Sequence, residues 1–260
     1  MVNQFEATGG KFEGFRRSGA KGICATGEFI GSAEGRKIST ASAFSGKPIP
    51  VVVRFSVGGA NPKAADNAKT QRNLALQFNL PAGEIWQMGN ISAPVFGSST
   101  PEQLLGRLQS LQPDSTTKVA DPVKVKAFAD ANPEVLIQGR YFAAQAVPAS
   151  YVATNYWGVH GFGFSNAKKE KVWGKWVFEP GGNLINATAP LPEGRKKVTL
   201  GVLKIVSVSA DGSGACLNIT FDPNIMPTGV EGAADPMLRA RTAPYAISLG
   251  RRISEGSKQQ

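Results

Sequence analysis

Lys47-Pro-Ile-Pro-Val-Val-Val-Arg-Phe-Ser-Val57 is the stretch from which the fold class is read. Three consecutive valines between Ile49 and Phe55 make it strongly β-branched, and such side chains suit a pleated sheet better than a helical turn. Comparable runs flank it. GICATGEFI (22–30) reads as a preceding strand, NLALQFNL (73–80) alternates apolar with polar, and EIWQMGNISAPVF (84–96) follows as a strand with a kink. Sequential strands with these connections predict hairpins.

Helical signals come next. Thr100 precedes Pro101 and Gln103, combining a capping-box spacing with proline at the first helical position, and LLGRLQSL continues that helix. Asp121-Pro122 opens a second helix in the same way, and Asn132-Pro133 a third through VLIQGRYFAAQ. Strands then return at TNYWGVHGFGF (154–164), KVWGKWVFE (171–179), KVTLGVLKIVSVSA (197–210) and ACLNITF (215–221), before a terminal helix over about 234–251. Four strands, a helical insertion, four strands and a helix predict an α+β chain built on a closed eight-stranded antiparallel barrel. No linker divides it, so residues 1–260 are expected to form a single domain.

Composition narrows the function. With 42% apolar residues the chain can bury a substantial core, and 30 Gly and 17 Pro favour a β framework with long connections. The formal charge of +10 is dispersed. Lys168, Lys169 and Lys171, and Arg195, Lys196 and Lys197, read as solvated loops, and no basic stripe with interleaved aromatics suggests nucleic acid. Cys24 and Cys216 each sit in a strand-like run and are expected to be buried thiols rather than a disulfide. No run reaches 18 apolar residues, so no membrane span is expected, and MVNQFEATGG lacks the pattern of an export leader. The compartment stays open between cytoplasm and, with a leader removed, periplasm. The single histidine, His160, excludes a zinc site built on several histidines, and neither a Walker-type loop nor a dinucleotide fingerprint is present.

Near the C-terminus, Arg241-Thr-Ala-Pro-Tyr245 sets a tyrosine one helical turn after an arginine, with Arg252 two turns further on. A guanidinium at that spacing can lie beside the phenol oxygen and favour the phenolate, a good ligand for ferric haem iron. Arg252 returns to the same side and can meet a haem propionate. Taken alone, the segment fits better an amphipathic basic helix whose tyrosine merely packs.

Three further segments decide between those readings: RRSGAKGICATGEF (16–29), VVVRFSVGGANPKAADN (51–67) and GNISAPVF (89–96). Together with VPASYVATNYWGVHGFGF (147–164) and DPMLRARTAPYAISLGRR (235–252), they resemble the haem-catalase family, in particular its small branch of catalase-related peroxidases. The likeness runs from about residue 10 to 252. It implies a haem b held inside the barrel, Tyr245 beneath the iron, and Arg241 supporting its phenolate. Arg16, Arg54 and Arg252 match the family's propionate-binding arginines, Asn90 its peroxide-binding asparagine, and Ser56 the serine that hydrogen-bonds the catalytic histidine. Leu104 falls near the place where larger catalases set a phenylalanine over the haem. The implied reaction reduces hydrogen peroxide or an organic hydroperoxide while oxidising a small-molecule reductant. Lacking the long N-terminal arm and additional C-terminal domain of large catalases, the chain is expected to be a monomer or homodimer.

One position departs from the pattern. The family's distal histidine precedes the Ala-Lys-Gly that starts the first strand, and Gly19 stands there. His160 lies elsewhere, on a strand where the family also carries a non-catalytic histidine. Heterolysis of peroxide requires a proton to move from the inner to the outer oxygen, and a positioned acid–base group contributes roughly 100- to 10,000-fold, or about 3–5.5 kcal/mol. Haem binding is therefore expected to survive while turnover is impaired. Competing expectations are a hydroperoxide lyase or allene oxide synthase on the same barrel, a non-catalytic haem carrier or sensor, and an unrelated basic binding barrel.

Overall fold

A computed structural model describes residues 1–181, 184–189, 198–212 and 214–256. The chain starts with helix α1 (Val2–Gly9) and enters strand β1 (Gly22–Gly31). Helix α2 (Ala33–Ile38) follows, capped by Ser32, whose hydroxyl accepts from the Gly35 N–H. Strands β2 (Ile49–Val57), β3 (Arg72–Asn79) and β4 (Ile85–Ile91) then pair antiparallel in sequence, each within a few residues of its expected position.

Helix α3 (Pro101–Ser110) begins where its cap predicts, with Thr100 Oγ1 accepting from Gln103 N at 3.1 Å. Helix α4 (Pro122–Ala131) is capped by Asp121. Helix α5 (Val135–Ala144) starts later than Asn132-Pro133 suggests, with Glu134 as its first flanking residue.

The second half departs from expectation in several places. The 154–164 segment is two strands, β5 (Tyr156–Trp157) and β6 (Phe162–Ser165). It breaks at Gly158, where a Cβ would stand 2.5 Å from the Trp176 indole nitrogen. The 171–179 segment likewise divides into β7 (Lys171–Gly174) and β8 (Val177–Gly181), because Trp176 turns into the core between them. Strand β9 (Leu184–Ala189), not anticipated, leads to β10 (Val198–Ala210). Residues 215–221 are turns rather than a strand, with Leu217 N bonded to Gly214 O and Ile219 N to Cys216 O. The last strand is β11 (Val230–Gly232), and the terminal helix is two pieces, α6 (Pro236–Arg239) and α7 (Thr242–Gly256). Arg195, Lys196 and Lys197 lie outside the described residues.

The main sheet is antiparallel and curled, its strands following the hydrogen-bonded order β1-β10-β9-β8-β5-β4-β3-β2, with β2 meeting β1 again. Strands β11, β6 and β7 form a separate small sheet. Alternation puts Phe29, Phe55, Leu74, Phe78, Trp86 and Met88 on the concave side, where Trp176 and Phe178 join them. Phe29, Phe44, Phe78, Trp86, Trp176 and Phe178 enclose a gap of about 10 Å³, and side chains fill that part of the interior. The expectation of a haem inside the barrel is thereby corrected.

Cys24 and Cys216 form a disulfide across 192 residues, against the expectation of two thiols. Their strand-like flanks carried no sign of the pairing, because 215–221 folds back as turns over the outer face of β1.

Candidate functional site

Outside the barrel, a cavity of about 240 Å³ lies between the convex face of β2–β4 and a cover formed by α1, α3, α6 and α7. Gly19, Ser56, Leu104, Arg16, Arg54, Arg241 and Tyr245 contribute to its lining, as does part of Asn90, so nearly all the candidate residues converge there. Arg252, buried, stands outside the lining.

A polar chain runs along the side of the cavity formed by α6 and α7. Arg241 lies in the junction between these helices, and Tyr245 N bonds to Arg241 O at 3.2 Å, preserving the helical spacing. The Arg241 guanidinium donates through Nη2 to the Tyr245 hydroxyl. Through Nη1, 3.0 Å away, it meets His160 Nε2. His160 Nδ1 lies 2.6 Å from Asp235 Oδ2, while Asp235 Oδ1 caps α6 by accepting from Met237 N and Leu238 N.

Burial, followed by the repulsion of Arg241, pulls the His160 imidazole down to about 4 despite the opposing pull of Asp235. The ring is therefore neutral at ordinary pH, with its proton on Nδ1 facing the carboxylate and its Nε2 lone pair facing Arg241. Burial pushes the Asp235 carboxyl up, but His160 and the Met237 and Leu238 N–H groups together outweigh it and hold the group below the usual range. Gly89 leaves room for this cluster, since a Cβ there would sit 3.3 Å from Arg241 Nη2 and 3.6 Å from the Tyr245 oxygen.

Strand register sorts the opposite wall. Ser56 pairs with Asn73 and Asn73 with Ile91, which puts these three in one row on the convex face. The adjacent row, Phe55–Leu74–Asn90, belongs to the concave face. Asn90 accordingly spends its amide inside: Oδ1 accepts from Trp176 Nε1 at 2.6 Å and Nδ2 donates to Leu74 O at 3.0 Å. One step along a strand reverses the face, and Asn90 falls on the wrong parity to present its amide to the cavity. Gly19 holds φ +62°, and a Cβ added there would lie 2.8 Å from Ser56 Oγ and 3.5 Å from Asn73 Nδ2.

The arginines gather at one end. Arg54 makes a two-pronged pair with Asp211, Nε to Oδ1 at 2.7 Å and Nη2 to Oδ2 at 2.5 Å. Among the described residues, Arg16 and Arg252 hydrogen-bond to carbonyl oxygens: Arg16 to those of Cys216 and Ile219, Arg252 to that of Leu217. Burial, then the repulsion of Arg54 and Arg252, lowers the Arg16 guanidinium to about 9, and Arg252 is lowered to about 10 by burial and then by Arg54. Three guanidiniums crowded beside one carboxylate favour an added anion, the property a dianionic cofactor needs.

A Catalase family model matches residues 15–193. The chain belongs to the catalase family. It is 33% identical to a catalase-related peroxidase of Synechococcus elongatus, over 97% of this chain and 87% of that protein. A catalase-related peroxidase of Mycolicibacterium paratuberculosis is 26% identical over 95% of this chain and 92% of its own. Among solved structures, a bacterial catalase superposes with a TM-score of 0.77 at 19% identity and catalase A of Saccharomyces cerevisiae with 0.79 at 17%, each over 92% of this chain. The catalase-family chain spans 57% and 61% of those two structures.

Sequence reading of this catalase-family chain missed three contributors: Asp235, Asn73 and Asp211. Asp235 precedes Pro236 and carries a visible cap signal, but its bond to His160 crosses 75 residues. Asp211 and the carbonyls of 216–219 together hold Arg54, Arg16 and Arg252, and Cys216 is tied to β1. Converting both cysteines to serine is expected to cost about 2–5 kcal/mol of stability. It is also expected to loosen haemin binding, read by titrating haemin into the reduced or Cys24→Ser/Cys216→Ser protein. Unchanged haemin affinity would show that the segment holds its arginines without the bond.

Proposed function

We propose that the chain is a haem-dependent peroxidase of the catalase-related type, an oxidoreductase that reduces hydrogen peroxide or an organic hydroperoxide while oxidising a small-molecule reductant. On this reading residues 1–260 act as one haem-binding domain, the curled sheet is the closed eight-stranded barrel of the family, and the α6–α7 segment carries the ligand. The carrying observation is the chain Asp235–His160–Arg241–Tyr245, which ends in a phenol oxygen at a cavity with crowded guanidiniums at one end. Those groups fit haem b: Tyr245 would bind the iron, and Arg16 and Arg252, with Arg54, would face the propionates. When bound, haem supplies the iron-centred two-electron redox chemistry that peroxide reduction requires.

The protein's own contribution divides by side. Asp235 orients His160, whose Nε2 holds the Arg241 fork in place to donate to the Tyr245 oxygen. Leu104 adds an apolar contact to the wall. Across the cavity, Gly19 brings no side chain, and Ser56 carries only a hydroxyl, so neither accepts a proton from peroxide near neutral pH. Impaired turnover follows from that vacancy.

Haemin titration tests the assignment. The chain is expected to take up one haem with a tyrosinate-type spectrum, and Tyr245→Phe to lose that spectrum and most of its haem affinity. A Tyr245→Phe protein whose absorbance matches the parent sinks the reading.

A further inference from the structure

We infer that Asn73 is the residue that orients the oxygen ligand in the distal half of the cavity, an inference that rests on the haem-peroxidase reading above. Its side chain stands on the convex face between Ser56 and Ile91, beside the space at Gly19. Gln71 Nε2 donates to Asn73 Oδ1 at 2.5 Å, which assigns that end of the amide as the acceptor and turns Nδ2 toward Ser56. Gln71 is braced in turn by Gln138 on α5, whose Nε2 lies 3.4 Å from Gln71 Oε1 and 3.0 Å from Val95 O.

Asn73 Nδ2 donates one hydrogen to Ser56 Oγ at 3.1 Å. Nδ2 lies 3.5 Å from where a Cβ of residue 19 would stand, and its second N–H meets no acceptor among the described residues. The Ser56 hydroxyl accepts from Asn73, and its own proton meets no acceptor among the described residues. The cavity therefore receives two donors from neighbouring strands. Donors without an acceptor recognise an oxygen lone pair or a small anion, which is the class of a peroxide oxygen. Asn90 offers nothing comparable, because Trp176 and Leu74 already engage both ends of its amide. Asn73 thus binds and orients without relaying protons, and this separates it from the missing base.

The probe is fluoride, which binds ferric haem weakly and depends on nearby donors, compared with imidazole, which coordinates through nitrogen without needing one. In haem-loaded protein, Asn73→Leu is expected to raise the fluoride dissociation constant about 10- to 100-fold while imidazole affinity is retained. Asn73→Ser, which keeps a shorter donor, is expected to fall between the two. An equal loss for both probes, or no change for fluoride, overturns the inference. A parent chain that takes up no haem overturns the functional reading itself, and this inference with it. Should Asn73→Leu fail to fold, the Asn73→Ser and Gln71→Leu proteins carry the comparison, with weaker fluoride binding expected in both and parental affinity in both overturning the assignment.

Discussion

Gly19→His is expected to raise peroxide turnover of the haem-loaded protein by roughly 100- to 10,000-fold, the range a positioned acid–base group supplies. The backbone makes the substitution testable. Gly19 occupies the left-handed region, where histidine is several-fold enriched among non-glycine residues, at a local cost of about 1–2 kcal/mol. The new Cβ would lie 2.8 Å from Ser56 Oγ but 3.6 Å from Ser56 Cβ, so rotating one hydroxyl relieves the contact. The imidazole would then stand beside the Ser56 and Asn73 donors and could take the proton from one peroxide oxygen and return it to the other. Steady-state peroxide consumption per bound haem is the measurement. If Gly19→His binds haem fully and turns over no faster than the parent, the vacancy does not limit the reaction. Added imidazole acting on the parent chain offers the same test without a mutation.

The second large effect is on stability at acid pH. His160 titrates near 4 in the folded chain against about 6.5 when unfolded, so between those values the unfolded state binds the additional proton. Stability is then full above pH 6.5 and lost as pH falls toward 4, by about 3 kcal/mol from this one residue. Asp235 acts in the same direction, because its lowered carboxyl favours the folded state until acid protonates it. His160→Asn keeps an N–H for Asp235 but does not titrate. Urea unfolding at pH 7, 5.5 and 4 should show a steep decline in the parent and a flatter one in His160→Asn. Parallel declines would place the acid sensitivity elsewhere.

Much of this was legible locally. Strands β1 to β4 and the starts of α3 and α4 follow from β-branching, alternation and caps, each of which acts within a few residues. The Arg241–Tyr245 contact was equally readable, because i and i+4 share a helical face whatever surrounds them. The later strands were harder. Trp157, Trp173 and Trp176 lie in aromatic runs, and only packing around Gly158 and Trp176 divides those runs between two sheets.

By itself, then, the amino-acid order determined the family, the first four strands and the proximity of tyrosine to arginine, since all rest on short-range geometry or ordered motifs. Tertiary structure decided the rest: the Cys24–Cys216 bond, the Asp235–His160 contact, the cavity's position outside the barrel, and the engagement of the Asn90 amide by Trp176 and Leu74. The physical reason is the same in each case. Pairing across 75 or 192 residues, and the parity of a strand against its neighbours, are set by how distant segments pack, and no local propensity encodes that choice.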